Sequence, residues 1–390
     1  MSFITFSACA DRKKVAIVGA GVAGLCAAHN LCDECDVFLF EKESRVGGLI
    51  RTEYFQNEVI ELGPSYHLED DQPDAFVDML RYANIQRVPL NKAKKLVCAS
   101  KNTSMREEAE AEKHDVENDL PLSACLPWRG ETAVFRREDV IAGFQWAYKK
   151  KYRKPEIGYQ KSVDAIARRL RDDADVDIRL STTVHKVHTL GAKYVVTTSN
   201  GTPVVVDAVF FALPPSHMQK IDVSSLHITT PDISHTKPIA SCRTFVCFSQ
   251  VPDWFQKVMQ VGVHYVSHEH AFTWASVQSE NVLLLSYTDN KTSQTEFDLM
   301  DSFLSFLLKK KMLTGWRTSE EVLCCTGVKV FQNFQAAAFH VPAKKLSATR
   351  NARKNIFFVG EAYASSATRG WMQGACLSAV RNVQIFKSTI

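Results

Sequence analysis

Apolar and polar positions along the chain change period several times, and each change marks an element. Val15-Ala-Ile-Val18 is a short β-branched run without polar interruption, the pattern of a strand buried on both faces. Ala23, Leu25, Ala27, Ala28 and Leu31 follow as a helix of small residues, and Val37-Phe-Leu-Phe40 reads as a second buried strand. Ala75 to Ala83 has the spacing of an amphipathic helix. Asp177 to Val187 reads as a strand, a short break and another strand. Lys193 to Thr198 and Thr202 to Val206 flank Asn200-Gly201, a strong hairpin turn, and Ala208 to Ala212 is a further buried strand running into Pro214-Pro215. From Ser216 to about Val328, alternating and aromatic-rich segments predict a separate antiparallel sheet with helices.

Three glycines give the first strand–helix–strand unit a chemistry. Gly19, Gly21 and Gly24 stand in GxGxxG spacing between strand and helix, and Glu41 closes the second strand. Gly19 permits the tight turn, Gly21 lets backbone approach a pyrophosphate, and Gly24 lets the helix pack closely on the sheet. The helix N-terminus then offers free N–H groups to the anion, and the carboxylate at Glu41 accepts from ribose hydroxyls. A lone GxGxxG is weak, but here strand, helix, second strand and acid all occur in order, which predicts a dinucleotide site. The doublet Gly47-Gly48, followed by Leu49, predicts a second close backbone approach to the same ligand, with Arg45 and Arg51 placed to pair with phosphate oxygens.

The order GxGxxG, Glu41, then Arg45-Val-Gly-Gly48 resembles the flavin amine oxidase superfamily, which includes monoamine and polyamine oxidases, protoporphyrinogen oxidase and carotenoid desaturases. The resemblance implies an α/β fold: a Rossmann-type FAD-binding domain interleaved with an α+β substrate domain built on an antiparallel sheet. The expected FAD domain comprises residues 1–80, 155–215 and 330–390, and the substrate domain 81–154 and 216–329. Glu61-Leu-Gly-Pro-Ser-Tyr-His67 is similar to the family loop whose glycine, here Gly63, lies beside the flavin, which puts Tyr66 and His67 near the ring. Pro155 to Leu170 resembles a turn and helix returning to the FAD domain, and Val184 matches the position whose backbone holds the adenine.

Arg243 falls where amine oxidases carry a lysine that holds a water against flavin N5; Lys237 is the alternative register. An arginine can hold a water but does not give up its proton. Asn333 to Ala343 matches the segment that carries a flavin-linking cysteine in monoamine oxidases; no cysteine lies there, which implies noncovalent FAD, and an aromatic cage position is alanine. Asn355 to Tyr363 resembles the strand whose Gly360-Glu361 meets the ribityl chain. Thr368-Arg-Gly-Trp-Met-Gln-Gly-Ala375 resembles the turn into the last helix, with Met372 and Gln373 N–H groups aimed at the flavin and Trp371 over the substrate. The resemblance thus implies oxidation of a small-molecule amine by hydride transfer to flavin N5, with O2 or another electron acceptor. Desaturation or isomerisation of a C–C bond is the alternative, and a noncatalytic FAD-binding protein the third.

Composition narrows these readings only slightly. A chain of 390 residues, 45% hydrophobic and 23% charged, buries a large core, and a net charge of +4 argues for neither nucleic acid nor an anionic membrane. No apolar run spans a bilayer, the first residues lack the pattern of a secretory signal, and Lys387-Ser-Thr-Ile390 carries no targeting or lipidation signal, so a soluble cytoplasmic protein is expected. The 11 cysteines are scattered; Cys32 and Cys35 form one CxxC with no second pair, so free thiols and no metal site are expected. Residues 101–120 are acidic and read as a solvated helix or loop; Trp128, Phe135, Phe144, Trp146 and Tyr148 lie in the aromatic stretch that follows. Neither substrate identity nor oligomeric state follows from the sequence.

Overall fold

The computed structural model describes residues 12–69, 74–90, 95–98, 151–226, 236–266, 274–289, 295–342, 350–351, 355–364 and 371–390. The acidic stretch, the five aromatics after it and Thr368-Arg-Gly370 lie outside these residues.

The central sheet draws its strands from three distant parts of the chain. Its order is Arg350–Asn351, Ile356–Phe358, Ala208–Phe211, Lys13–Val18, Cys35–Phe40 and Asp177–Arg179, and all neighbours are parallel except the outermost pair. Both faces are covered at the centre of the sheet, which is why residues 15–18 and 37–40, Ala208–Phe211 and Ile356–Phe358 carry no polar side chain. Val15 and Ile17 point into a core shared with the helices Val22–Leu31, Ala75–Tyr82, Tyr159–Ala174 and Met372–Lys387. Ala16 and Val18 point the opposite way, into a core closed by the meander Val184–Leu190, Lys193–Thr198 and Val204–Val206. Gly201 takes the turn with φ +90°, as the Asn-Gly pair predicts.

A second sheet lies in the order Val328–Pro342, Thr236–Phe248, Val282–Asp289, Trp274–Ser279, Val263–Val266 and Lys95–Cys98. It is antiparallel apart from its last pair. Val246, Phe248, Leu283 and Leu285 on one face pack against Phe303, Phe306 and Leu307 of the helix Glu296–Lys309, which a Thr295–Asp298 capping box starts. The expected return to the cofactor unit at residue 330 falls inside this sheet: Val328–Pro342 pairs along the whole of Thr236–Phe248. The reason is ladder pairing, since the long strand satisfies its backbone there before the chain turns back at residue 350.

Side chains tie the second sheet to loops of the first unit. Asn333 Nδ2 donates to the Leu62 carbonyl at 3.0 Å and Gln335 Nε2 to the Leu49 carbonyl at 2.7 Å. The hairpin Thr52–Phe55/Glu58–Glu61 and a three-stranded sheet of His67–Glu69, Lys151–Pro155 and Arg87–Pro89 fill the seam. The fold is thus a Rossmann-like α/β unit joined to an antiparallel-sheet α+β unit. No helix among the described residues is long and apolar enough to cross a membrane.

Candidate active site

A cavity of about 330 Å³ follows the carboxyl ends of four neighbouring parallel strands. Glu41 ends one strand, Gly19 and Gly21 leave the next, Ala212, Leu213 and Pro214 leave the third, and Val359 to Tyr363 leave the fourth. Ligands of open α/β sheets bind in this crevice, where the chain connections diverge to opposite sides.

The glycines divide the labour. At Gly24 an added Cβ would stand 1.9 Å from the Gly19 carbonyl oxygen, so only glycine lets helix Val22–Leu31 sit on the strand turn. At Gly21 the nearest heavy atom to such a carbon, the Gly48 Cα, is 3.9 Å away, so this position is open and faces the cavity. Gly47 donates to the Ala20 carbonyl at 2.8 Å, which lays the second glycine loop against the first. Two helices present N-termini to the cavity: Val22–Leu31 with Gly21 as its cap, and Met372–Lys387 with Trp371 as its cap. Neither has a side-chain cap or an acid in its first turn, so backbone N–H groups and helix dipoles are left to a ligand. A walled groove of this polarity fits the pyrophosphate of a dinucleotide.

Glu41 accepts from Ala20 N–H at 2.8 Å and Glu43 N–H at 3.0 Å, and its two oxygens retain lone pairs for ribose hydroxyls. Arg45 lines the cavity and also braces the loop: Nη1 donates to the Val46 and Ile50 carbonyls and Gln160 Oε1, and Nη2 to the Gly48 carbonyl. Gly47 and Gly48 run with positive φ (+107° and +58°), and the carbonyls around them find their donors in Arg45. Arg51 is exposed beside Glu53, at 3.5 Å, and is absent from the cavity wall.

Of the residues named from the sequence, Gly19, Gly21, Glu41, Arg45, Gly47, Gly48, Leu49, Gly360, Glu361, Trp371 and Met372 line the cavity. Gly63 lies behind the wall, where a Cβ would meet the Leu49 oxygen at 2.3 Å, while its neighbour Pro64 reaches the cavity. Val184 is buried at the start of its strand, paired with Thr198 and off the wall. Gln373 also lies behind it, and its side chain hydrogen-bonds Asp74.

The four residues expected at the reaction centre separate. Trp371 and Tyr66 meet edge to face with ring centroids 5.8 Å apart, and Tyr152 joins them, 5.1 Å from Tyr66 and stacked on Trp371 at 6.2 Å. Consecutive side chains of extended chain point in opposite directions, so His67 turns away from this corner. It is fully buried against Phe76 and Tyr159, with Nδ1 2.9 Å from the Tyr159 hydroxyl. Burial, with Arg87 and Arg153 nearby, pushes its pKa down to about 3, so the ring is neutral and structural.

Arg243 also departs from expectation. It stacks on the Tyr287 ring at 4.5 Å and donates through Nη1 to the Glu61 carbonyl at 3.4 Å, the Gly63 carbonyl and Ser65 Oγ at 3.0 Å. The guanidinium therefore clamps the loop behind the cavity and is not itself on the wall. Carbonyls left at the end of the hairpin, where strand pairing stops, supply the acceptors that hold it.

Several wall residues had no sequence assignment. Leu213, Pro214 and His217 follow the strand Ala208–Phe211, and Tyr363 follows the Gly-Glu pair. Tyr363 lies two residues past Gly360-Glu361 in the same stretch; Tyr152 carries no local signal, because only its strand pairing with Leu68 brings it to Trp371.

Comparison with known proteins agrees with this geometry. Residues 17–83 match the NAD(P)-binding Rossmann-like domain, and residues 132–385 match the family described as flavin containing amine oxidoreductase. Polyamine oxidase 1 of Oryza sativa subsp. japonica is 41% identical over 61 residues, which are 15% of this chain and 12% of that protein's length. A crystal structure of an Exiguobacterium sp. 255-15 protein described as a protoporphyrinogen oxidase superposes with a TM-score of 0.65 at 13% identity, covering 97% of this chain and 99% of the other. An engineered putrescine oxidase superposes at 0.61 and 15% identity over 97% and 99%. These two likenesses show the shared fold. With the family match covering more than half of the sequence, the chain belongs to the flavin-containing amine oxidoreductase family.

Proposed function

We propose that the protein oxidises a small-molecule amine at the cavity end formed by Trp371, with O2 as the electron acceptor. The observation that carries this reading is the aromatic corner of Trp371, Tyr66 and Tyr152 at the N-terminus of the last helix. Aromatic faces attract an amine as a cation and orient it when neutral. When bound, FAD supplies the two-electron acceptor for a hydride from the carbon bearing nitrogen, leaving an imine that water hydrolyses to an aldehyde. Oxygen takes the two electrons and two protons as hydrogen peroxide. The local match to a polyamine oxidase supports an amine.

In this reading the chain's own residues bind and orient. Gly19, Gly21, Gly47 and Gly48 let the pyrophosphate approach backbone, and the first turn of helix Val22–Leu31 donates to it. Glu41 holds the ribose. Gly360 and Glu361 lie along the ribityl chain, while Met372 and Gln373 N–H groups oppose charge that develops on the ring. Leu49 and Pro64 shield it from water, and Trp371 guides the substrate. Gly24, Gly63 and Arg243 position the loops behind. With no cysteine between Asn333 and Ala343, the cofactor is held noncovalently.

Arg243 favours a second reading. Its Nη1 donors are committed to the 61–65 loop, and no lysine stands at that strand position to assist oxygen. Dehydrogenation of a C–C bond, with electrons passed to another acceptor, suits such a site. Anaerobic mixing with a panel of amines, followed by air and a peroxide assay, decides. Bleaching of the visible flavin bands with one hydrogen peroxide per turnover supports amine oxidation; bleaching by an unsaturated apolar substrate alone supports the second reading.

A further inference from the structure

Glu61 touches no part of the cavity, yet it stands where three elements meet. The helix Tyr159–Ala174 begins at Gly158, which has no side chain to cap it. The cap comes from across the seam: Tyr159 N–H donates to Glu61 Oε1 at 2.9 Å, and Gln160 N–H donates to Thr52 Oγ1 at 3.0 Å. Thr52 in turn donates its hydroxyl proton to Glu61 Oε2 at 2.7 Å. Gln160, fixed by this cap, holds the cofactor loop from behind. Its Oε1 accepts from Arg45 at 2.9 Å and its Nε2 donates to the Val46 carbonyl at 3.1 Å, while Arg45 ties Gly48 and Ile50. One continuous chain of hydrogen bonds thus runs from Glu61 to the glycine doublet on the cavity wall.

We infer that Glu61 is a positioning residue for the cofactor, and that its ionised form sets how tightly the Gly47–Gly48 loop grips FAD. The carboxylate accepts from both Tyr159 N–H and Thr52 O–H, and a negative charge suits the helix N-terminus. A proton on Oε2 reverses the bond to Thr52: the acid now donates, the threonine hydroxyl loses its acceptor, and its oxygen is shared between two donors. The cap on Gln160 slackens, and the slack passes to Arg45 and the loop.

The surroundings make this titration accessible. Glu61 is 4% exposed. Burial is the main cause that raises its pKa, to about 7, against the opposing bonds from Thr52 and Tyr159 and the charges of Lys154 and Arg243. Those two cations act on it from the strand Lys151–Pro155 and from the second sheet. The phenols of Tyr54 and Tyr159 face it from its own hairpin and from the helix, both held neutral by their raised pKa.

The test is the dissociation constant of FAD, read from the fluorescence of released flavin as holoenzyme is diluted across a pH series. FAD should bind about tenfold more weakly at about pH 6 than at about pH 8, the worth of one charge-assisted hydrogen bond. Glu61→Gln should bind weakly throughout, with no inflection near neutrality. Thr52→Val, which removes the hydroxyl relay, should also flatten the profile. A flat wild-type profile, or one that tightens on acidification, overturns the inference even if neither variant folds. So does Glu61→Gln retaining the wild-type inflection.

Discussion

Replacing Gly21 with valine separates the fold from the cofactor site. The backbone at Gly21 has φ −69° and ψ −179°, an extended conformation open to any residue, and its Cβ position is clear to 3.9 Å. The apoprotein should therefore fold with stability within about 1 kcal/mol of wild type. The side chain, however, projects from the wall that backs the first turn of helix Val22–Leu31. It keeps a phosphate from at least two backbone N–H groups. At about 1.5–3 kcal/mol for each charge-assisted hydrogen bond, the loss is about 3–6 kcal/mol, or roughly two to four decades in FAD affinity. Flavin absorbance per protein after desalting, FAD titration of the apoprotein and its thermal melting read the two effects separately. Gly24→Ala is the contrasting variant. Its Cβ starts 1.9 Å from the Gly19 oxygen, so the helix must shift by about 1.5 Å to reach ordinary contact, and the apoprotein itself should melt lower by about 1–3 kcal/mol. A Gly21→Val protein that purifies yellow with one FAD per chain refutes the assignment of this wall to the pyrophosphate.

Trp371→Ala should keep FAD bound while cutting turnover at least tenfold, since it removes one face of the aromatic corner; steady-state kinetics unchanged on the best substrate would take it out of the site. Arg243→Met should loosen the 61–65 loop and lower stability by about 2–4 kcal/mol, measured by urea denaturation, because three oxygens lose their donor; an unaltered midpoint would show that the clamp carries no load. His67 gives a pH signature of known sign. Its folded pKa of about 3 lies below the ordinary 6.5, so from about pH 6.5 downward the unfolded chain binds the extra proton and stability falls. His67→Gln should lessen that acid loss between about pH 6.5 and 4 in urea midpoints, and an equally steep loss in the variant would assign it to other groups.

Much of the cofactor unit could be read from sequence because its strands are buried on both faces and its turns demand glycine. Val15 to Val18 can be little else, and Gly24 has no tolerated substitute at 1.9 Å from a carbonyl. The end of the second sheet could not be read in this way. Val328–Pro342 is recognised by its partner strand far away, and nothing local marks where that pairing stops. The partners of charged side chains are hidden for a related reason. The sequence shows that Arg45 and Arg243 stand near cofactor loops, but which acceptors they satisfy depends on carbonyls exposed by positive φ and by the end of a hairpin. The adjacency of Tyr66 and His67 likewise hides that an extended backbone sends them to opposite sides, one to Trp371 and the other into the core. Tyr152 reaches the aromatic corner only through tertiary pairing.

The order of strands in the central sheet has a bearing on how the molecule is made. Ala208-Val-Phe-Phe211 is fully buried, and one of its two edges is occupied by Ile356–Phe358. While the ribosome has yet to deliver the stretch from Asn355 onward, that edge is a bare apolar template, open to pairing with another nascent chain. Gly360, Trp371 and Met372 of the cavity wall arrive in the same late stretch, so on the proposed function flavin added early does not close it. A premature stop there should give an aggregating colourless polypeptide, and rescue should come from a synthetic tail peptide supplied in trans more readily than from excess cofactor.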